Sequence, residues 1–146
     1  MSMYGTPGPC YIDLPNDLLT AKINEDSISY LPKVELLEPL TLPHSTLLST
    51  LALLKSAKNP LIIVGKGIAY GRAEQEMRAF VEKTGLPFLA TPMGKGVVPD
   101  KHALNAGSAR SYILQNADVV FLCGARLNWI LHFGLPPRFA KNVQFI

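Results

Sequence analysis

Leu61, Ile62, Ile63 and Val64 form an unbroken apolar run, with Pro60 before it and Gly65 behind it. A strand with one face in water alternates polar and apolar residues, whereas a strand with no polar position must be covered on both faces. Parallel sheets meet that demand, because their crossover connections lay helices over both sides. Three further strand-like runs, Pro87 to Ala90, Asp118 to Cys123 and Val143 to Ile146, are separated by stretches of helical pattern or loop. Strand, helix, strand, helix, strand is the order of right-handed βαβ units. The expected fold class is therefore α/β: a three-layer αβα Rossmann-like parallel sheet with the Leu61 strand at its centre.

The helical stretches carry their own punctuation. Ser45 is placed to cap a helix reaching about Ala57, with Leu47, Leu48, Leu51 and Leu54 at helical spacing. Asn59 and Pro60 end it. Arg72 to Thr84 reads as an amphipathic helix with Ala73, Met77, Phe80 and Val81 on one face. Glu74, Glu76, Arg78 and Lys83 take the other face, and Gly85 stands where a left-handed C-cap is wanted. A third helix is expected over Ser108 to Asn116, with Ala109, Tyr112 and Ile113 turned inward. Upstream, Cys10 to Leu14 reads as a short strand closed by Pro15. From Asn16 to Pro43 periodicity is lost and prolines gather at 32, 39 and 43, as in a linker lying on a surface.

With 146 residues, 48% of them hydrophobic and 17% charged, the chain suits one globular domain with a buried core. A net charge of +3 with scattered Lys and Arg gives no clustered cationic face, so no nucleic-acid partner is expected. No run of membrane-spanning length occurs, so no membrane partner is expected either. The start at Met1 has neither the basic region nor the apolar core of a signal peptide. Cys10 and Cys123 each lie in an apolar run and are expected to be small buried hydrophobes of a reducing, intracellular compartment. Two cysteines and three scattered histidines make no metal-ligand pattern.

The chemistry-bearing residues fall in the loops after the strands, where ligands of open α/β sheets bind. Gly65, Lys66 and Gly67 follow the first strand and open a helix, as a phosphate-cradling loop does. Tyr70 stands where a third glycine would be, and Gly71 comes one residue late. Two readings stay open: the glycines cradle a phosphate with Lys66, or they only allow a tight turn. After the second strand come Thr91, Pro92 and Met93 rather than the acidic residue that holds ribose in a typical dehydrogenase. No Gly-Lys is followed by Ser or Thr, which speaks against a P-loop enzyme. Lys95, between Gly94 and Gly96, either contacts an anion or faces water. Gly124, Ala125 and Arg126 follow the third strand, where a guanidinium suits phosphate recognition or pairs with a carboxylate. Trp129 and Phe133 read as packing anchors and His132 as a core histidine. No residue is assigned a catalytic role or a metal.

Two segments carry a family resemblance: Thr-Pro-Met-Gly-Lys-Gly-Val-Val-Pro-Asp at 91–100, and Gly-Ala-Arg-Leu-Asn-Trp-Ile-Leu-His-Phe-Gly-Leu-Pro-Pro at 124–137. Both resemble the thiamine-diphosphate-dependent 2-hydroxyacyl-CoA lyases, with oxalyl-CoA decarboxylases close by. The Gly5 to Pro15 segment is similar to the closing strand of the pyrimidine-binding domain in such enzymes, and residues from about Leu47 onward resemble their middle domain. On that resemblance, 1–15 is the closing strand of the first domain, 16–44 an interdomain linker, and 45–146 a truncated middle domain.

The resemblance implies a parent enzyme that cleaves 2-hydroxyacyl-CoA to formyl-CoA and a shortened aldehyde with thiamine diphosphate and Mg²⁺. It further implies peroxisomal α-oxidation of fatty acids and a homo-oligomer, although no peroxisomal address is found on this chain. The segments that hold thiamine diphosphate and Mg²⁺ in the family have no counterpart here, so the chain reads as an inactive fragment. Its partners would be the CoA thioester substrate and the enzyme's remaining domains and subunits. By motif position, Gly65, Lys66 and Gly67 match one nucleotide loop, and Gly124, Ala125 and Arg126 match another, for ADP, FAD or CoA. A ribose-binding acidic residue is expected beyond Ile146. The alternatives are a non-catalytic module that binds adenine nucleotides or fills a subunit interface and, with less support from the loops, a stand-alone oxidoreductase.

Overall fold

A computed structural model describes residues 8–33 and 41–146. The chain divides into two compact units, Met1–Thr41 and Leu42–Ile146.

The second unit is built on four parallel strands in the order β2-β1-β3-β4. They are β1 (Pro60–Val64), β2 (Phe88–Ala90), β3 (Val119–Cys123) and β4 (Gln144–Phe145). The expected parallel sheet is present, and the apolar run that demanded cover on both faces sits inside it. Leu61 to Val64 are at most 1% exposed. Alternate side chains of β1 feed two cores. Leu61 and Ile63 pack with Leu89, Leu114, Ala117, Val120, Leu131 and Phe139 on one face. Ile62 and Val64 pack with Met77, Val81, Phe88, Val97, Val98 and Cys123 on the other. The helices α4 (Glu74–Thr84) and α5 (Arg110–Asn116) supply cover to opposite faces.

Several local expectations need correction. Helix α2 (His44–Ser56) starts two residues earlier than expected, its N-cap position is Pro43, and Ser45 lies inside the first turn. Its leucine stripe is not core: Leu47, Leu48 and Leu51 are 37–54% exposed, and the helix buries no residue fully. Between the first strand and the helix expected from Arg72, where the loop residues Gly65, Lys66 and Gly67 were singled out, a separate short helix forms, α3 (Lys66–Tyr70). Helix α5 begins at Arg110 after a 3₁₀ turn at Gly107–Ala109, and its phase differs from the expected one. Leu114 is its buried residue and Ile113 packs beside the core, while Ala109 and Tyr112 are exposed. A helical face advances about 100° per residue, so misplacing the first turn rotates the whole inward set.

Other features hold. Gly85 caps α4 with φ +66°, and its N–H donates to the Val81 carbonyl. Met77 and Val81 are the buried residues of that helix.

In the first unit, the described residues form α1 (Asn16–Thr20) and a 3₁₀ turn at Glu25–Ser27. The strand expected over Cys10 to Leu14 is not formed. Among the described residues no ladder partner pairs with it, and Tyr11 and Ile12 are exposed by 89% and 76%. A strand is defined by the partner that satisfies its N–H and C=O groups. Cys10 is accordingly exposed, against expectation, and only Cys123 is buried. Val34 to Leu40 and the first seven residues, part of the expected linker and first-domain segment, lie outside the described residues.

Candidate functional site

The strand order reverses at β1: the chain passes from β1 to β2 on one side and returns to β3 on the other. Open α/β sheets bind ligands in the crevice at such a switch point. Register fixes what meets there. Val64 lies beside Cys123 on one side and beside Ala90 on the other, so Gly65, Thr91 and Gly124 leave the sheet at one height.

Two of these loops are laced together through their backbones. Gly65 N–H donates to the Cys123 carbonyl at 2.8 Å, and Gly67 N–H to the Gly124 carbonyl at 3.0 Å. The approach is so close that a Cβ on Gly65 would fall on the Gly124 carbonyl oxygen, and one on Gly67 would come 2.7 Å from the Gly124 Cα. Gly124 itself has φ +62°. The open question over the first loop is thereby answered for two of its amides. Gly65 and Gly67 are glycines because backbone packs on backbone, and their N–H groups are occupied within the protein.

Above this packed floor lies an open cleft of about 220 Å³. Gly65, Lys66, Gly124, Ala125 and Arg126 line it together, with Thr91, Pro92, Met93, Asn128 and Ile130 completing the wall. Five of the six residues singled out from the two loops therefore share one cavity. Gly67 is exposed and does not line it. Arg126 is exposed and makes no ion pair among the described residues, so the carboxylate pairing left open for it is not found. Lys66 is half-buried and carries its Nζ 5.3 Å from the Tyr70 ring centroid, within cation–π range. Lys66 and Arg126, with no carboxylate among the lining residues, give the cleft a cationic lining, the charge that suits an anion.

The wall residues were not in the expected set. Asn128 accepts the Ile130 N–H on its side-chain oxygen at 3.1 Å and starts the 3₁₀ segment Trp129–Gly134. An Asn shortly after a strand is a turn signal that would have found it. The aromatic readings fail in this segment. His132 and Phe133 adopt φ of 49° and 54°, and Trp129, His132 and Phe133 point outward rather than into the core. Leu131, which is 1% exposed, is the anchor instead.

Lys95 is not free: it pairs with Asp100 at 3.4 Å beside a second cavity that Asn105 and Arg110 also line. His102 has both ring nitrogens engaged. Its Nδ1 accepts the Leu104 N–H, which leaves Nε2 to donate to Glu82 at 2.8 Å. Burial pushes the Cys123 thiol up to about 12, so it is no thiolate at neutral pH. Among the described residues no three His, Cys, Asp or Glu side chains assemble as a metal-ligand set. The cleft therefore does not fit a Mg²⁺-bridged diphosphate, which needs oxygen ligands from carboxylates. No helix among the described residues is long and apolar enough to cross a membrane.

A four-stranded parallel sheet with helices over both faces and a glycine-laced switch point is a Rossmann-like α/β architecture. Residues 48–146 match the family model for the thiamine pyrophosphate enzyme central domain, and the chain belongs to that family. It is 51% identical over 146 residues to 2-hydroxyacyl-CoA lyase 1 of Homo sapiens, covering 99% of this chain and 25% of that protein. Oxalyl-CoA decarboxylase of Escherichia coli K12 is 45% identical, covering 100% of this chain and 26% of that protein. The chain thus spans about a quarter of the length of the curated relatives it matches. Among solved structures, benzoylformate decarboxylase from Polynucleobacter necessarius shares the fold with a TM-score of 0.55 and 21% identity, over 83% of this chain and 25% of that one. A putative thiamin diphosphate-dependent enzyme from Mycobacterium smegmatis does so at 0.54 and 21%, over 70% and 21%.

Proposed function

We propose that this chain is the middle-domain segment of a thiamine-diphosphate-dependent carbon–carbon lyase acting on 2-hydroxyacyl-CoA thioesters, and that its cleft holds the phosphates of ADP or CoA. The first fifteen residues then belong to the preceding domain and 16–44 to the linker. Thiamine diphosphate and Mg²⁺ bind through the enzyme's other domains, in a homo-oligomer of the peroxisomal α-oxidation route. The chain's own part is to orient the nucleotide portion of a ligand, not to move protons or electrons. One observation carries this: Lys66 and Arg126 line one cleft at the switch point, with no carboxylate lining it.

Calorimetry with ADP and with CoA on the chain is the direct test. Arg126→Ala and Lys66→Ala should each weaken binding, Arg126→Ala by roughly 1.5–3 kcal/mol as for a charge-assisted hydrogen bond. Binding unchanged in both variants, or none in the wild type, would sink the proposal. A second reading, an interface module, is favoured by Trp129, Phe133 and Leu135, which are 58–73% exposed on a strained segment. Trp129→Ser with Phe133→Ser in the full-length protein should then shift its oligomeric mass, and an unchanged mass would refute that role.

A further inference from the structure

We propose that Arg78 is a positioning residue for the cleft: from α4 it fixes the loop that forms the Thr91–Met93 wall, and through that wall it sets nucleoside-diphosphate affinity. The inference rests on the anion reading of the cleft. By sequence Arg78 sits on the solvated face of an amphipathic helix, with Glu74 and Glu76 nearby. In the structure it turns back to the fold. Its Nε–H donates to the Val97 carbonyl at 2.6 Å and its Nη2 to the Gly96 carbonyl at 3.1 Å. Successive carbonyls held by one planar fork make a geometric clamp that a flexible ammonium reproduces only in part.

The clamped turn is connected to the cleft bond by bond. Gly96 adopts φ +87°, which turns the chain so that Val97 and Val98 enter the core at 2% exposure. Val97 N–H donates to the Gly94 carbonyl, Gly94 N–H to the Thr91 carbonyl, and Thr91 N–H to the Val64 carbonyl. The wall is therefore tied to β1 at one end and to α4 at the other. Gly94 is packed so tightly on the Val64 carbonyl that a Cβ there would overlap it, so the wall has one resting position while both ties hold. Removing the α4 tie leaves the part-buried Val97 carbonyl without that donor and lets the wall pivot about Thr91.

The test compares wild type, Arg78→Ala, Arg78→Lys and Asp118→Asn in the full chain. It uses ADP titration, urea denaturation and amide hydrogen exchange. Asp118→Asn is the stability control, because Asp118 precedes β3 at the edge of the sheet opposite the cleft. Arg78→Ala should weaken ADP binding on the order of tenfold, within the range for mutations that touch no ligand. It should also speed exchange at Gly94 and Val97. Arg78→Lys should recover part of both, and Asp118→Asn should lower the denaturation midpoint while leaving ADP affinity unchanged. Equal affinity losses in Arg78→Ala and Asp118→Asn, or unaltered exchange at Gly94 and Val97, would overturn the proposal. Should wild type fail to bind ADP, the anion reading itself falls. Exchange at Gly94 and Val97 then decides separately whether Arg78 holds the wall.

Discussion

Strand β3 is bracketed by two titratable groups whose surroundings act in opposite directions. At its far end, burial alone raises the Cys123 pKa from 9.0 to about 12. Just before it, burial pushes the Asp118 carboxyl upward. The N–H groups of Lys58 and Asn59, with those of Asp118 and Val119, outweigh that and hold the pKa below 3.8. The Lys58 and Asn59 amides donate to its two oxygens at 2.7 and 2.9 Å, tying the end of α2 to the start of β3. The pH consequences follow by sign. Cys123 has a raised folded pKa, so its contribution is complete below about 9 and is lost as pH climbs toward about 12. Asp118 has a depressed one, so its contribution is present above 3.8 and is lost as pH falls through the lowered folded value. Thiol titration at pH 8 should accordingly modify exposed Cys10 at once and Cys123 only after urea is added. Equal rates without denaturant would contradict the burial of Cys123. Asp118→Asn should cost about 1 kcal/mol at pH 7, a charged hydrogen-bond loss discounted for exposure. It should also flatten the acid limb of the stability curve, and an acid limb unchanged from wild type would rule Asp118 out as its source.

The strands of the second unit were the most legible elements, because their apolar runs had a core to enter, whereas the run at Cys10 to Leu14 had no ladder partner among the described residues and formed none. Helices were legible where one face was strongly marked, as in α4. They were misread where the apolar stripe had no core to meet. In α2 the leucines keep helical spacing, yet periodicity reports only that a face is apolar, not what covers it. Helix α3 was invisible, since five residues between two glycines carry less than two turns of pattern. The contrast between α2 and α4 yields a direct comparison. Val81→Ala, at a position with 0% exposure, should cost about 2 kcal/mol through lost burial and a residual cavity. Leu48→Ala, at 54% exposure, should stay within about 0.5 kcal/mol. Urea midpoints of the two variants measure both, and a Leu48→Ala cost matching that of Val81→Ala would show that α2 is covered in solution.

At the scale of the whole molecule, the location of the site was readable because topology dictates it. Once β1 and β3 are neighbours in register, the loops beginning at Gly65 and Gly124 must abut. The role of each residue was less readable, since a glycine that cradles a phosphate and a glycine that admits another backbone have the same letter. Only the observed bonds from Gly65 and Gly67 to the β3 end separate the two, and Lys66 and Arg126 are the charged side chains that line the cleft. That distribution of charge bears on the cofactor of the family. A Mg²⁺-bound diphosphate would need oxygen ligands such as carboxylates, and a cleft whose lining charges are Lys66 and Arg126 would repel such a cation. A free nucleotide diphosphate and a Mg²⁺-bridged thiamine diphosphate therefore make opposite demands on the same surface. On this chain, calorimetry should register ADP without added metal, and ADP affinity should fall as Mg²⁺ neutralises the phosphates. Thiamine diphosphate with Mg²⁺ should give no saturable heat at micromolar concentration. A micromolar isotherm for it would mean that a second, metal-tolerant site exists outside the cleft, and the assignment of cofactor binding to other domains would fail.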